Sequence, residues 1–144
     1  MKPFEYKIRV QYYDTDKMQV MHHANYIRYF ETVRTEYLRS KGLAYSDMEE
    51  QDVLVPLLSV DATYKTPAVY DELITISCRI IKLGYASMEM AFEVRNAETG
   101  QLHATGHSRH GFTNAELRPI GLRKKNPEMY ALFQRLYKED QLLD

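Results

Sequence analysis

Asp14, Asp16, His22 and His23 crowd into a short irregular stretch, and a strongly amphipathic segment follows at once: YYDTDKMQVMHHANYIRYFETVRTEYLR, from Tyr12 to Arg39. A carboxylate just ahead of a helix lies beside a ready-made anion site, because the first N–H groups of a helix lack internal partners. Chemistry that develops negative charge on an oxygen can use that arrangement. Asp14-Thr15-Asp16 also suits ordinary turn and cap geometry, since Asp and Thr bond readily to nearby backbone. Residue type and spacing alone leave both open.

Other chemistries find less support. A calcium loop starting at Asp14 would put Gln19 where the sharp-turn glycine belongs and Asn25 where the bidentate glutamate belongs. His22 and His23 are adjacent and cannot easily converge on one ion. His103 and His107 share a face of an extended run, but four residues of strand span about 13 Å. No metal is therefore expected. Cys78 sits mid-strand on an isoleucine-rich face and reads as a buried apolar cysteine. No G-x-S-x-G elbow and no phosphate-cradling glycine motif occurs, and no cofactor is expected. The basic residues Arg118, Arg123, Lys124 and Lys125 read as a solvated face.

The elements that must hold the acidic stretch follow from periodicity. A strand is expected from about Glu5 to Tyr12, with Tyr6, Ile8, Val10 and Tyr12 alternating. A loop covers Asp14–Ala24. A helix from about Asn25 to Lys41 carries Tyr26, Phe30, Val33 and Tyr37 on one stripe, and Gly42 stops it. A short turn or helical piece is expected at Tyr45–Asp52. Four strands come next, at about Leu54–Lys65, Glu72–Leu83, Ala86–Arg95 and Gln101–Phe112, with a hairpin turn at Asn96–Gly100. A C-terminal helix at about 126–139 has Asn126 as N-cap and Pro127 at its first position. One long helix followed by an antiparallel meander is α+β. Ala104, Gly106 and Ser108 share a face whose small side chains would let that helix lie close, so the sheet is expected to wrap around it.

Length and charge bound the rest. At 144 residues the chain, 1–144, is expected to be one domain, long enough to hide roughly two-thirds of its unfolded surface. A net charge of −1 gives no global field for nucleic acid or an acidic membrane, and neither is expected as a partner. No apolar run approaches a membrane span, and no secretory leader is apparent. A lone cysteine fits a reducing compartment, and a cytoplasmic location is expected.

Through Asp14-Thr15-Asp16, Gln19-Val20 and His23-Ala24-Asn25-Tyr26 the chain resembles the 4-hydroxybenzoyl-CoA thioesterase branch of the hotdog-fold acyl-CoA thioesterases. The likeness continues through VPLLSVDATYKTPAVYDELITI, IIKLGYASMEMAFEV and ATGHSRHGF, covering about Tyr6 to Phe112. The resemblance implies an antiparallel sheet wrapped around a long central helix, with protomers pairing as a homodimer or homotetramer to build each site. It implies hydrolysis of an acyl-CoA or acyl-carrier-protein thioester to free acid and thiol. Asp16 falls at the catalytic carboxylate, with His23 and Tyr12 lining the site and the helix N-terminus offering N–H groups to the thioester oxygen.

Members commonly have glycine where this chain has Gln19, which leaves loop geometry and acyl preference open. Gln19 and Tyr26 are candidates for contact with substrate. Lys65, Lys82 and Arg109 are candidates for the CoA phosphates. Two other functions use the same frame. A hydratase or dehydratase of enoyl thioesters would act without releasing thiol, and a non-enzymatic acyl-thioester binder would show no turnover.

Overall fold

The computed structural model describes residues 2–143. Its strands are β1 (Phe4–Arg9), β2 (Leu57–Tyr64), β3 (Leu73–Leu83), β4 (Ser87–Asn96) and β5 (Leu102–Gly111). Its helices are α1 (His23–Ser40), α2 (Tyr45–Glu50), the single turn α3 (Leu122–Lys125) and α4 (Pro127–Gln141). The strands form one antiparallel sheet in the order β1-β3-β4-β5-β2. None of the helices among the described residues is long and apolar enough to cross a membrane.

Helix α1 forms where local and tertiary signals agree. Its stripe of Tyr26, Phe30, Val33, Tyr37 and Leu38 is buried, and each such side chain contributes about 2 kcal/mol of burial. It ends in a Schellman motif. Gly42 takes φ +84°, Leu43 N–H bonds Leu38 O at 2.8 Å, and Gly42 N–H bonds Arg39 O at 3.2 Å. The helix lies in the hollow of the sheet, where Phe30 stacks on Phe92 with ring centroids 4.5 Å apart. A Cβ on Gly106 would come within 2.3 Å of the Phe30 ring, so that glycine sets how closely α1 approaches. The small-residue face of the last strand does what its sequence suggested.

Three expectations shift. The first strand stops at Arg9, because Tyr12–Asp14 winds into a 3-10 turn instead of continuing. The helix starts at His23, two residues early, because the His22 ring caps it. The alternation in β5 breaks at His103. Val94 pairs with Ala104 and Arg95 with Leu102, so one residue bulges. His103 is therefore buried while His107 is exposed, and the two do not share a face as a strict period of two requires. At the C-terminus, Asn126 Oδ1 accepts from Met129 N–H at 3.1 Å and Pro127 opens α4, as the sequence indicates.

Candidate active site

The loop between β1 and α1 folds as a small hairpin against the β2–β3 connection. Asp14, 4% exposed, is its clasp. One carboxylate oxygen accepts from Gln11 N–H (2.9 Å) and Tyr29 Oη–H (2.6 Å). The Asp14 carbonyl accepts from His22 N–H and Asn25 Nδ2–H, both at 2.8 Å. Burial and the neighbouring carboxylate hold the Tyr29 phenol protonated well above the usual range. The arms of the hairpin meet at a Thr15–Met21 bridge, and Asp16 N–H bonds Val20 O at 3.0 Å. Val20 bridges Val69, and Met21 N–H bonds Ala68 O at 2.8 Å, which docks the hairpin on the connection.

Asp16 stands at the tip, half-buried. Its Oδ1 accepts from Met18 N–H at 2.8 Å. Its Oδ2 has no hydrogen-bond partner among the described residues. Gln19 N–H bonds Asp16 O at 2.9 Å, and Gln19 adopts φ +64°. The departure from glycine therefore keeps the left-handed backbone and costs on the order of 1 kcal/mol.

Asp16 opens onto two clefts. One, of about 290 Å³, is shared with His23, Tyr26, Tyr64, Lys65 and Thr66. The other, of about 510 Å³, is shared with Tyr12, Lys17, Gln19 and Tyr70. At the first cleft His22 Nδ1 accepts from Ala24 N–H at 3.1 Å, and the His22 and His23 rings stack at 4.0 Å. Asn25 N–H bonds His22 O at 3.0 Å. The His23 N–H has no partner among the described residues and lies at the positive end of α1. Tyr64 Oη donates to His23 O at 3.0 Å and packs edge-on to Tyr26 at 5.1 Å. Burial raises the Tyr26 pKa.

Asp16, His23, Tyr26 and Lys65 thus share one cleft, and Asp16, Tyr12 and Gln19 the other. Lys82 and Arg109 line neither. They flank Glu89 towards the other end of the sheet, Lys82 paired with it in register and Arg109 Nε 4.0 Å from its carboxylate. Tyr64 and Tyr70 were not anticipated as site residues. Both come from the β2–β3 side, and their sequence surroundings carry no chemical signature. No group of three or more His, Cys, Asp or Glu among the described residues could hold a metal ion.

Comparison with known proteins gives this geometry its setting. Residues 10–135 match the thioesterase-like superfamily. The chain belongs to that family. It is 30% identical over 133 residues to the Bacillus subtilis protein named "Putative acyl-CoA thioesterase YneP", covering 92% of this chain and 96% of that one. It is 29% identical over 100 residues to the acyl-CoA thioester hydrolase YbgC of Escherichia coli O157:H7, covering 69% and 75%. The DHNA-CoA thioesterase of Staphylococcus aureus superposes with a TM-score of 0.88 at 27% identity, over 98% of this chain and 95% of that one. The α+β sheet wrapped around α1 is the hotdog fold, and the enzyme class is thioester hydrolase.

Proposed function

We propose that the chain hydrolyses acyl-CoA thioesters to free acid and thiol, with Asp16 as the reacting carboxylate. One observation carries this: the unengaged Asp16 Oδ2 and the unpaired His23 N–H belong to residues lining the same cleft. A thioester carbonyl seated at the α1 N-terminus would place its oxygen by that N–H. Attack converts the oxygen to an oxyanion, which an amide and the helix dipole stabilise in place. Asp16 either attacks directly, giving a mixed anhydride that water then cleaves to the free acid, or acts as general base and takes the proton of the attacking water. The His23 imidazole, at the same cleft, would deliver a proton to the departing thiolate. Tyr26 and Tyr64 form the wall against the acyl group. Tyr12 and Gln19 bound the second cleft, a route for the thiol arm. Lys65 lies where it can meet CoA phosphates, whereas Lys82 and Arg109 can do so only from another protomer.

A second copy pairs along β2, an edge strand with no neighbour on its outer side among the described residues and with Leu57 and Leu58 about half exposed. The buried, unpaired Cys78 accords with a cytoplasmic protein. Incubation with saturated acyl-CoAs tests the activity. Thiol release with formation of free acid is expected. Hydration of an enoyl-CoA without thiol release would assign a lyase instead.

A further inference from the structure

Residues 65–72 carry the chain from β2 to β3 and belong to no strand. Among the described residues, Val69 alone in this segment forms a bridge, with Val20. Yet the segment supplies Lys65, Thr66 and Pro67 to the cleft of about 290 Å³ that Asp16, His23 and Tyr26 share. It also docks the Asp16 hairpin, through that bridge and through Ala68 O, which accepts from Met21 N–H at 2.8 Å. Something other than a strand ladder must hold it in place.

Two buried titratable side chains do so. His103 is 2% exposed and the Glu72 side chain 10%, and His103 Nε2 meets Glu72 Oε2. The other ring nitrogen, Nδ1, lies 2.9 Å from Thr66 Oγ1 and 3.2 Å from Thr66 O. Thr66 Oγ1 in turn donates to Leu102 O at 2.8 Å. The His103 carbonyl accepts from Lys65 N–H at 2.8 Å and from Thr66 N–H at 3.2 Å. At the far end of the segment, Glu72 Oε1 accepts from Val69 N–H at 3.1 Å, and Oε2 accepts from Asn96 Nδ2–H at 2.9 Å. His103 thus grips the segment where it leaves β2, Glu72 grips it where it enters β3, and the two grip each other.

Taking an imidazole and a carboxylate out of water is costly, and an apolar pair would fill the same space at less cost. What the polar pair adds is a fixed geometry. The ladder between β4 and β5 gives up regular pairing to turn His103 inward, a device common beside functional sites. Burial first, and the Glu72 charge further, raise the pKa of the Tyr26 phenol in the cleft.

We infer that His103 and Glu72 are positioning residues for thioester hydrolysis. They fix the crossing segment, and with it both the cleft wall at Lys65 and Thr66 and the docked hairpin of Asp16. This rests on the Asp16 cleft being the place of reaction. Neither side chain lines that cleft, so each acts through the backbone it holds. A displacement of about 1 Å between reacting groups can cost on the order of 100-fold in rate.

Steady-state kinetics and hydrogen exchange of His103→Gln and Glu72→Gln test this, at a temperature where circular dichroism shows them folded. Each should lower kcat for acyl-CoA hydrolysis at least about tenfold, with KM within about threefold of wild type. Amide exchange should quicken at 64–72 and 15–22 and stay as in wild type across β4. If His103→Gln fails to fold, Glu72→Gln, which keeps the shape of its side chain, decides. Asp140→Asn is the control for lost stability. It weakens a buried hydrogen bond to Tyr37, far along α1 from Asp16, and should keep wild-type kcat. Wild-type kcat in the folded His103 and Glu72 variants, an equal loss of kcat in Asp140→Asn, or exchange quickened throughout the sheet would overturn the inference. Asp16→Asn, run alongside, separates the two roles. Undiminished turnover there, with kcat lost in the His103 and Glu72 variants, removes the role of Asp16 and keeps theirs. Lost turnover there, with kcat kept in both variants, removes theirs and keeps that of Asp16.

Discussion

Two aspartates separated by a single threonine have opposite surroundings. Asp14 is buried with its carboxylate engaged by Gln11 and Tyr29, so it holds the loop, whereas Asp16 keeps one oxygen unengaged beside two clefts. The pattern D-T-D cannot show which is which, because the difference lies in what α1 brings against the loop. His110 is another residue whose state is set by its surroundings. Its pKa falls from 6.5 to about 4 because burial disfavours the imidazolium. The unfolded chain therefore takes up a proton on this residue at a pH where the folded chain does not. Its stability contribution is full above pH 6.5 and is lost as pH falls towards 4, a change of about 3 kcal/mol. Chemical denaturation of wild type and His110→Gln across pH 7 to 4 should show a steeper loss in wild type, with the difference developing below pH 6.5. Parallel curves would show that His110 titrates normally.

At the scale of elements, the sequence was most informative where local and tertiary demands coincide. The apolar stripe of α1, Gly42 after it, and the Asn126-Pro127 start of α4 were all legible. The His103 bulge was not, since no local preference marks it. What turns that residue inward is Glu72, which accepts from His103 Nε2 and from Asn96 Nδ2. The β3 edge is similar. β1 covers it only as far as Cys78, and beyond that Asp140 accepts from Ile80 N–H (2.9 Å) and Gln141 donates to Ile80 O (3.3 Å). The end of a helix thus stands in for a missing strand, a role its helical pattern does not announce. Gly106 gives the sharpest test of how α1 and the sheet fit. A methyl group there meets both the Phe30 ring and Asp61 O. Gly106→Ala should destabilise the protein by about 1–3 kcal/mol or more in denaturant titration. An unchanged midpoint would mean that α1 does not lie against β5 as described.

For the whole molecule, the decisive event is the crossing from β2 to β3. The two strands lie on different sides of the sheet order, so residues 65–72 must traverse its end, and there they meet the loop ahead of α1. That crossing brings Lys65, Tyr64 and Tyr70 to Asp16. Pairings so distant in sequence leave no trace in periodicity, which is why the sheet order and the arrival of Tyr64 and Tyr70 at the clefts were not readable beforehand. Among the described residues, the same order leaves β2 unpaired on its outer side. Sedimentation equilibrium should give at least twice the chain mass of 17.0 kDa, and Leu58→Glu should shift the population towards that single-chain mass. A wild-type monomer at micromolar concentration would contradict pairing along β2.

Asp16 is the point on which the loop, the helix terminus and the crossing segment converge. Thiol release from a panel of acyl-CoAs, measured for wild type and Asp16→Asn alongside their melting temperatures, tests that convergence most directly. Asparagine keeps the acceptor for Met18 N–H and removes the carboxylate proposed to react. Turnover should fall by at least about 100-fold while the melting temperature stays within a few degrees of wild type. Undiminished turnover in a folded Asp16→Asn protein would contradict the assignment of Asp16 as the reacting group.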